Sequence, residues 1–416
     1  MAAKIKLSRR LPKDLTPTPF FEELERTKAQ VIESCAAQGG ECEMPFVDLS
    51  VSSPVKAGLP VDLQSAVDVA RESFGNWSPD ASGWLSARKA VADYYSARGG
   101  DFTTDEILLT ASTSEAYSIL FKTFCDPGDG ILTPLPGYPL LDTLAALEHL
   151  ECHPYFLKFS YEKVQGKGGF RFILDDDSLL SAPENARILL LVSPHNPTGH
   201  CISKKEWMQV VAFCEERNLV LVVDEVFGDY ALEKESRELK RSYKYVFEDL
   251  KRFGRRPKCP IFWLNGLSKA VGSPQLKLGW MAMSIPEEQY EKIHEALEYV
   301  EDAFLSVSSM PQALAAPLLQ NADSYQQAVL KRTRANWECL QKNFPGKVCP
   351  RVLGGWYAVL HLGEDDEELT LRLLREKHVL VQPGFFFDFE EDGWVVISLL
   401  QEPDLFAEAV GRLASL

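Results

Sequence analysis

Short apolar runs alternate with amphipathic helical patterns over most of the chain. Three of these pairs, each an apolar run and the helical pattern after it, are 107–110 with 114–124, 130–133 with 140–149, and 188–192 with 204–217. Two more apolar runs follow, at 219–223 and 261–264. Apolar strands separated by helices are typical of a parallel sheet covered on both faces. The pattern therefore predicts an α/β fold with a large, doubly wound, mainly parallel sheet.

The two ends of the chain carry a different pattern. Three helices are predicted before the first strand, at 19–37, 59–74 and 83–98, and residues 231–258 are charged enough to be a solvated insertion or a helix. After a helix at 285–302, the predicted elements are helices at 324–343, 367–377 and 403–413 and strands at 355–362 and near 379 and 395. We expect an N-terminal arm with part of a small domain at 1–58, a large domain at 59–306 and a small α/β domain at 307–416.

Composition excludes several classes of protein. The 416 residues carry a formal net charge of −16, which argues against a nucleic-acid-binding face. The nine cysteines form no C-x-x-C pair, so reduced thiols in a cytoplasmic protein fit better than a disulfide framework. The seven histidines show no metal-binding spacing, and no apolar run has the length of a membrane span, so neither a metal site nor a membrane anchor is expected.

One lysine, Lys269, lies in a small-residue turn directly after the apolar run 261–264. Burial in such a turn would lower the pKa of its amine and free it to form a Schiff base. Taken alone, the position fits a solvated surface lysine better. The prediction of chemistry therefore depends on what the other strand ends carry.

Four more segments follow predicted strands, where a doubly wound sheet places its ligand site. Residues 109–118 carry hydroxyls at a helix start, which suits a phosphate but also an ordinary helix cap. Tyr138 stands on a Pro/Gly turn and could stack on a ring or simply pack. Asn196 lies in a constrained turn between prolines, as a hydrogen-bond donor or a plain connection. Asp224 ends an apolar strand, so it would pair with a cation or cap the next loop.

Together and in this order, these segments describe a site for pyridoxal 5′-phosphate (PLP). At this point the chain resembles the class I/II aminotransferases, the aspartate-aminotransferase-like group of fold-type-I PLP enzymes, from about Asp48 to its C-terminus. The motifs that carry the resemblance are residues 110–116, 126–129, 136–138, 196–199, 224–226 and 267–269. The resemblance implies a PLP-dependent aminotransferase with a large doubly wound domain, a smaller α/β domain and a homodimer whose site is shared between subunits.

The resemblance also implies a role for each residue. Lys269 would hold PLP as a Schiff base and then move a proton, and Asp224 would keep the pyridine nitrogen protonated. Asn196 would hydrogen-bond the phenolic oxygen, and Tyr138 would stack on the ring. The phosphate would be held by Thr113, Ser114, Ser268 and Lys277. Gly58 and its loop would lie near the substrate.

Five positions depart from the family pattern. Phe227 stands where a tyrosine is usual, Gly266 where a serine is usual, Lys277 where an arginine is usual and Trp77 where a tyrosine is usual. Val396 aligns with the arginine that clamps the substrate carboxylate, a strong bidentate contact. Lys56 and Arg351 are the cations that could replace it, unless the substrate has no free carboxylate there. Residues 354–357 and 383–388 are aromatic and apolar, which fits a substrate wall and the core of the small domain equally well.

The main alternative is another PLP reaction in the same site, such as a decarboxylation, a β- or γ-elimination or a biosynthetic condensation. A PLP-binding protein without catalysis is the second alternative. Its usual DNA-binding extension would need a basic domain, for which the residues before Phe46 leave little room. Substrates are expected to be a small amino donor and an oxo acceptor, with no nucleic acid and no membrane as partner.

Overall fold

A computed structural model describes residues 8–12, 16–37, 42, 44–59, 61–75, 78–164, 167–233 and 241–415. Its α-helices are α1 Pro19–Ala37, α2 Leu63–Ala70, α3 Leu85–Ser96, α4 Thr113–Phe124, α5 Leu140–Leu147, α6 Asp176–Leu180, α7 Lys204–Arg217, α8 Ser242–Phe253, α9 Leu267–Ala270, α10 Glu287–Asp302, α11 Ser309–Gln320, α12 Ala322–Asn343, α13 Asp366–Lys377 and α14 Pro403–Leu413. Within the described ranges, no helix is both long and apolar enough to cross a membrane.

The strands form three sheets. Their bounds are β1 Val47–Asp48, β2 Ile107–Thr110, β3 Gly130–Leu135, β4 Glu151–Val164, β5 Lys167–Leu174, β6 Ala186–Val192, β7 Val220–Asp224, β8 Ile261–Gly266, β9 Gly279–Ser284, β10 Tyr357–His361, β11 Val379–Leu380, β12 Gln382–Pro383 and β13 Trp394–Ser398. The largest sheet has eight strands in the order β2-β9-β8-β7-β6-β3-β4-β5. The strands from β8 to β4 in that order run parallel, while β9 and β5 are antiparallel to their neighbours. The predicted α/β fold with a mostly parallel sheet is confirmed.

Alternate residues of the central strands supply two separate apolar cores. In β6, Leu189 and Leu191 pack into one core, whereas Ile188 and Leu190 pack into the core on the opposite face. All four side chains are buried. Because successive side chains of a strand point to opposite faces, a continuous apolar run is needed where both faces are covered. The polar residues can therefore appear only at the strand ends.

A second region is built from both ends of the chain. β10, β13 and β12 form a three-stranded sheet, and β1 pairs in parallel with β11. The Leu49 nitrogen donates to the Leu380 carbonyl at 2.9 Å, and the Ser398 nitrogen donates to the Leu49 carbonyl at 2.6 Å. A third apolar core, which includes Leu49, Ile397 and Phe406, lies beneath these strands.

Several helices match their predicted bounds because their end signals are local. In α7, Ser203 and Glu206 form a reciprocal capping box, and Asn218 ends the helix in the left-handed conformation. The helix predicted over 59–74 begins only at Leu63, because the Asp62 side chain caps it by accepting from the Ser65 nitrogen.

Several elements were not predicted. The longer ones are the β4–β5 hairpin, the antiparallel strand β9 and helix α11, and the short ones include α6, α9 and β12. Helix α11 contains Pro311 in its first turn and Pro317 in its interior, so the sequence favoured a break there. The charged insertion contains helix α8, and residues 234–240 lie outside the described part of the chain.

A buried ion network joins helix α3 to the segment after β7. The Asp229 carboxylate, with only 5% of its side chain exposed, pairs with Arg98 at 3.1 Å and with Arg241, and it accepts from the Tyr94 hydroxyl at 2.5 Å. Burial alone would raise the pKa of Asp229, but the charges of Arg241 and Arg98 lower it. The two arginines thus share one buried carboxylate, and Arg98 also pairs with Asp323.

Replacing Asp229 with asparagine should destabilise the protein by about 3 kcal/mol, because Arg241 would lose its paired carboxylate and Arg98 would lose the buried one of its two partners. Urea unfolding at pH 7 measures this change. The matched control is Asp323→Asn, since Asp323 also pairs with Arg98 but its side chain is 84% exposed. The control should cost no more than about 1 kcal/mol. Equal effects of the two variants would contradict the assignment.

Candidate active site

A cavity of about 370 Å³ opens beyond the carboxyl ends of β6, β7 and β8. This is the edge of a doubly wound sheet where ligands bind. Eight residues singled out in the sequence line it together: Thr113, Ser114, Tyr138, Asn196, Asp224, Ser268, Lys269 and Lys277. Segments separated by more than a hundred positions therefore converge on one volume.

Lys269 lies in the short helix α9, directly after β8. Its Nζ is 4.7 Å from the centre of the Trp356 ring and 5.4 Å from that of Phe227. Burial among these groups lowers the pKa of the Lys269 amine to about 8, and the charge of Asp224 opposes the shift only in part. About a tenth of this amine is therefore uncharged at pH 7, in the form that a nucleophile or base requires.

Two side-chain hydrogen bonds fix the backbone around Lys269. Its carbonyl accepts from the Tyr230 hydroxyl at 2.5 Å, and the next carbonyl, of Ala270, accepts from the Gln326 side chain at 3.0 Å. Gln326 also contacts Arg98 at 3.1 Å, so the turn is joined to the buried network of Asp229. The lysine therefore projects into the cavity from a rigid base.

Asp224 ends β7 and faces the cavity. Its carboxylate accepts from the Tyr117 hydroxyl at 2.9 Å and from the Val226 nitrogen at 3.0 Å. Burial nevertheless raises the pKa of Asp224, because these hydrogen bonds and the charge of Lys269 offset only part of the cost. A bound cation at this carboxylate would restore its ordinary ionisation.

The start of helix α4 and the turn before β9 form one end of the cavity. Ser112 caps α4 by accepting from the Glu115 nitrogen, and Thr113 and Ser114 follow it in the first turn. Gly279 lets β9 approach this turn, since a Cβ there would lie 2.9 Å from the Ser112 carbonyl carbon. Lys277, whose backbone has the left-handed conformation, contributes a positive charge. Backbone N–H groups, hydroxyls and an ammonium group make this end an anion site.

The loop after β6 places Asn196. The His195 nitrogen donates to the His200 carbonyl at 2.7 Å, and the Gly199 nitrogen donates to the His195 carbonyl at 2.8 Å. Within this closed loop, the Oδ1 atom of Asn196 is buried without a hydrogen-bond partner. The carboxamide therefore has hydrogen-bonding capacity that a bound molecule would use. Tyr138, 51% exposed, leaves its ring available for stacking.

The opposite wall comes from residues outside the predicted cofactor set. Ser52 hydrogen-bonds with the Tyr357 hydroxyl, and both line the cavity with Gln382 and Phe387. The Phe387 carbonyl accepts from the Gly137 nitrogen at 2.7 Å, which joins this wall to the turn that carries Tyr138. The aromatic segments around Tyr357 and Phe387 were recognisable in the sequence as fitting a substrate wall, whereas Ser52 and Gln382 were not, because their contacts depend on how distant strands pair.

Three residues proposed for the substrate lie elsewhere. Lys56 and Gly58 are exposed, and neither lines the cavity. Arg351 also lies outside it, where its Nε pairs with Glu233 at 3.1 Å. Trp77 is outside the described residues.

The structure describes the surroundings of two departures from the family pattern, Val396 and Gly266. Val396 is fully buried, in register with Gln382 of the neighbouring strand. At Gly266, a Cβ would lie 2.9 Å from the Leu278 carbonyl oxygen, so the backbone leaves no room for a serine.

These residues could hold a flat, phosphorylated cofactor such as PLP. The cavity has an anion site at one end, an aromatic ring beside it and an amine near a buried carboxylate. In the part of the chain that the structure describes, no group of three or more His, Cys, Asp or Glu side chains could hold a metal ion.

Comparisons with known proteins agree with this arrangement. Residues 46–413 match the family model described as aminotransferase class I and II. A tyrosine aminotransferase of Caenorhabditis elegans is 23% identical over 371 residues, which is 86% of this chain and 75% of the relative. The S-alkyl-thiohydroximate lyase SUR1 of Arabidopsis thaliana is 26% identical over 370 residues, 84% of this chain and 74% of that protein. The crystal structure of an alanine aminotransferase from Pyrococcus furiosus shares the fold, with a TM-score of 0.77 at 21% identity over 96% of this chain and 99% of that one.

In the protein without PLP, Lys269→Met should increase stability at pH 7 by about 3 kcal/mol, because the folded state lowers the pKa of the amine from 10.5 to about 8. The cost of the charged amine is full below pH 8 and disappears as pH rises towards 10.5. Urea unfolding at pH 7 and pH 10 should therefore show the gain falling below about 1 kcal/mol. The exposed Lys277→Met is the control and should change stability by less than about 0.5 kcal/mol at both pH values. A gain for Lys269→Met that does not depend on pH would contradict the assignment.

Proposed function

The chain belongs to the aminotransferase class I and II family and is a PLP-dependent aminotransferase, and on that premise we propose that the cavity around Lys269 is its active site. One observation carries the proposal. An amine whose pKa is lowered to about 8 and a buried carboxylate, Asp224, face the same cavity. Perturbed titratable groups of opposite sign in one cleft mark a functional site.

The described residues fit PLP group by group. Asp224, whose burial leaves its charge incompletely balanced, would pair with the protonated ring nitrogen. Asn196, with an unsatisfied buried amide oxygen, would turn its amide nitrogen towards the phenolic oxygen. Tyr138 would stack on the ring. The phosphate would be held by Thr113, Ser114, Ser268 and Lys277.

When bound, PLP supplies an electron sink for negative charge at the carbon that carries the amino group. Lys269 would hold the cofactor covalently, and its amine, once displaced by an amino substrate, would take the proton from that carbon and return it on the cofactor side. Asp224 would stay ionised throughout, held by Tyr117 and the Val226 nitrogen. Trp356 and Phe227 would keep water from the Lys269 amine.

Three further features of the organisation are part of the proposal. A homodimer is supported by large exposed apolar side chains at the end of α10 and just after it: Tyr299, Phe304, Leu305 and Met310. A monomer in sedimentation analysis at assay concentrations would contradict it. A cytoplasmic location is supported by nine cysteines that are all free of disulfides. The large domain is proposed to span 59–306, with 307–416 and part of 1–58 forming the small one.

An elimination in the same site is the second candidate. Val396, where the family pattern has an arginine, is the observation that favours it, and one relative is a lyase by name. The same cofactor and the same lysine serve both reactions. Release of a thiol and of pyruvate from a cysteine conjugate, without an amino acceptor, would identify the elimination.

The purified protein with PLP should absorb in the visible region, and an amino donor should convert that band while a stoichiometric oxo product appears. Lys269→Ala should abolish turnover, because both the covalent link and the proton carrier are lost. Absorbance and product analysis over a panel of amino compounds measure this. Lys277→Gln is the control: it should weaken binding of PLP without abolishing conversion. Full turnover by Lys269→Ala would refute the site.

Phe227→Tyr should lower the pH at which the absorption band of bound PLP titrates by about one unit. A hydroxyl at this position would donate to the phenolic oxygen and stabilise its deprotonated state. The Phe227 ring lies 5.4 Å from the Lys269 amine, within reach of the same region. Spectral titration of the two proteins gives the comparison, with Phe227→Leu as the variant that removes the ring and adds no donor. A titration that is unchanged or shifted upward in Phe227→Tyr would contradict this.

A further inference from the structure

The charges that line the cavity are few. Among the described lining residues, the cations are Lys269 and Lys277, and Asp224 is the anion. In the proposed function, which the following inference assumes, Lys269 holds PLP and Lys277 faces the phosphate. Both positive charges then belong to the cofactor, and neither is left for a substrate.

The wall away from the phosphate end is neutral and partly aromatic. It consists of Ser52, Tyr138, Tyr357, Gln382 and Phe387, which we call the neutral wall. Contacts hold it together as one surface: Ser52 hydrogen-bonds with Tyr357, and the Gln382 amide donates to the Ser50 carbonyl at 3.5 Å. The groups that it offers are hydroxyls, one carboxamide and ring faces.

The strand behind this wall carries an apolar residue, Val396, at the position where the family pattern has an arginine. Val396 pairs in register with Gln382 on one side and with Val359 on the other. It packs in the same apolar core as Phe227 and Tyr357, two residues that line the cavity. Val396 is fully buried and brings no charge to the neutral wall.

Cations close to this region in the sequence are bound elsewhere. Arg351 pairs with Glu233. Arg332 pairs with Glu402 at 2.5 Å and donates to the Ala57 carbonyl at 3.2 Å. Among the described residues that line the cavity, a carboxylate placed against the neutral wall would therefore find no cation left to pair with, which is unfavourable for a charge that loses part of its hydration.

We propose that the amino donor of this enzyme presents an uncharged hydrogen-bonding group, such as a carboxamide or hydroxyl, to the neutral wall in place of a free carboxylate, and carries an aromatic or apolar side chain. The Gln382 carboxamide both donates and accepts, so it pairs with such groups without a charge. The rings of Tyr138, Tyr357 and Phe387 give the side chain an apolar contact surface.

The first experiment uses the protein with PLP bound and two ligands of the same shape that lack an amino group, 3-phenylpropionamide and 3-phenylpropionate. Their dissociation constants follow from calorimetry or from the change that they cause in the absorption spectrum of bound PLP. The amide should bind at least about tenfold more tightly. Equal or tighter binding of the carboxylate overturns the proposal, and so does a failure of both ligands to bind.

The second experiment moves a positive charge into the wall. Gln382 is only half-buried, so Gln382→Arg can place a guanidinium group at the cavity without forcing it into a core. It should lower the dissociation constant of 3-phenylpropionate at least about tenfold and weaken binding of the amide. Gln382→Met removes the carboxamide without adding charge and should not improve carboxylate binding. An unchanged preference in Gln382→Arg overturns the proposal.

The failure of this inference can be told apart from that of the proposed function. If Lys269→Ala binds PLP with the same spectrum as the wild type, the assignment of the lysine fails. If that assignment holds and phenylalanine converts the bound cofactor at least as fast as phenylalaninamide, the neutral-wall inference alone fails. Faster conversion by the amide supports both.

Discussion

Removing a carboxylate and an amine from water in the same cavity is the constraint on which the rest of the site depends. Asp224 can lie at the end of an apolar strand only because Tyr117 and a backbone nitrogen donate to it, and even so its pKa is raised by burial. Lys269 lies among aromatic rings that lower its pKa and is anchored by Tyr230. Helix α4, the loop after β7 and the turn at α9 must therefore keep their positions relative to one another.

The cavity is also lined by two regions of different construction, the large sheet with its loops and the smaller sheets with the loop after β1. The large sheet supplies every charged group that lines it, whereas the strands near the C-terminus and the loop after β1 supply neutral ones. Tyr357 begins β10, Gln382 begins β12 and Ser52 follows β1 closely, so strand pairing in the smaller sheets fixes the shape of the neutral wall. In the proposed function, the first region would hold the cofactor and the second would contact the substrate.

Sequence reasoning reached the large sheet and most of the cofactor end, because both depend on local signals. Apolar runs identify the central strands, and Ser203 and Asn218 delimit α7. Polar residues directly after strands identify the strand ends that converge on the cavity. It missed what depends on pairing between distant segments. In the sequence, strand β9 cannot be distinguished from the apolar residues that follow the lysine turn, and two prolines argue against helix α11. The contact between Tyr117 and Asp224 exists only because α4 packs beside β7, which the sequence does not show. The aromatic segments of the substrate wall and the valine behind it were recognised in the sequence, but the contribution of Ser52 and Gln382 to that wall was not.

The pairing of β1 with β11 has a consequence for how the chain is made. Val47 can pair only after its partner, Val379, has been synthesised 332 residues later. The eight-stranded sheet, whose strands lie between residues 107 and 284, can form in the meantime from its own contacts. The neutral wall is therefore completed last, so a nascent chain could carry the cofactor end of the site before it could distinguish one amino donor from another.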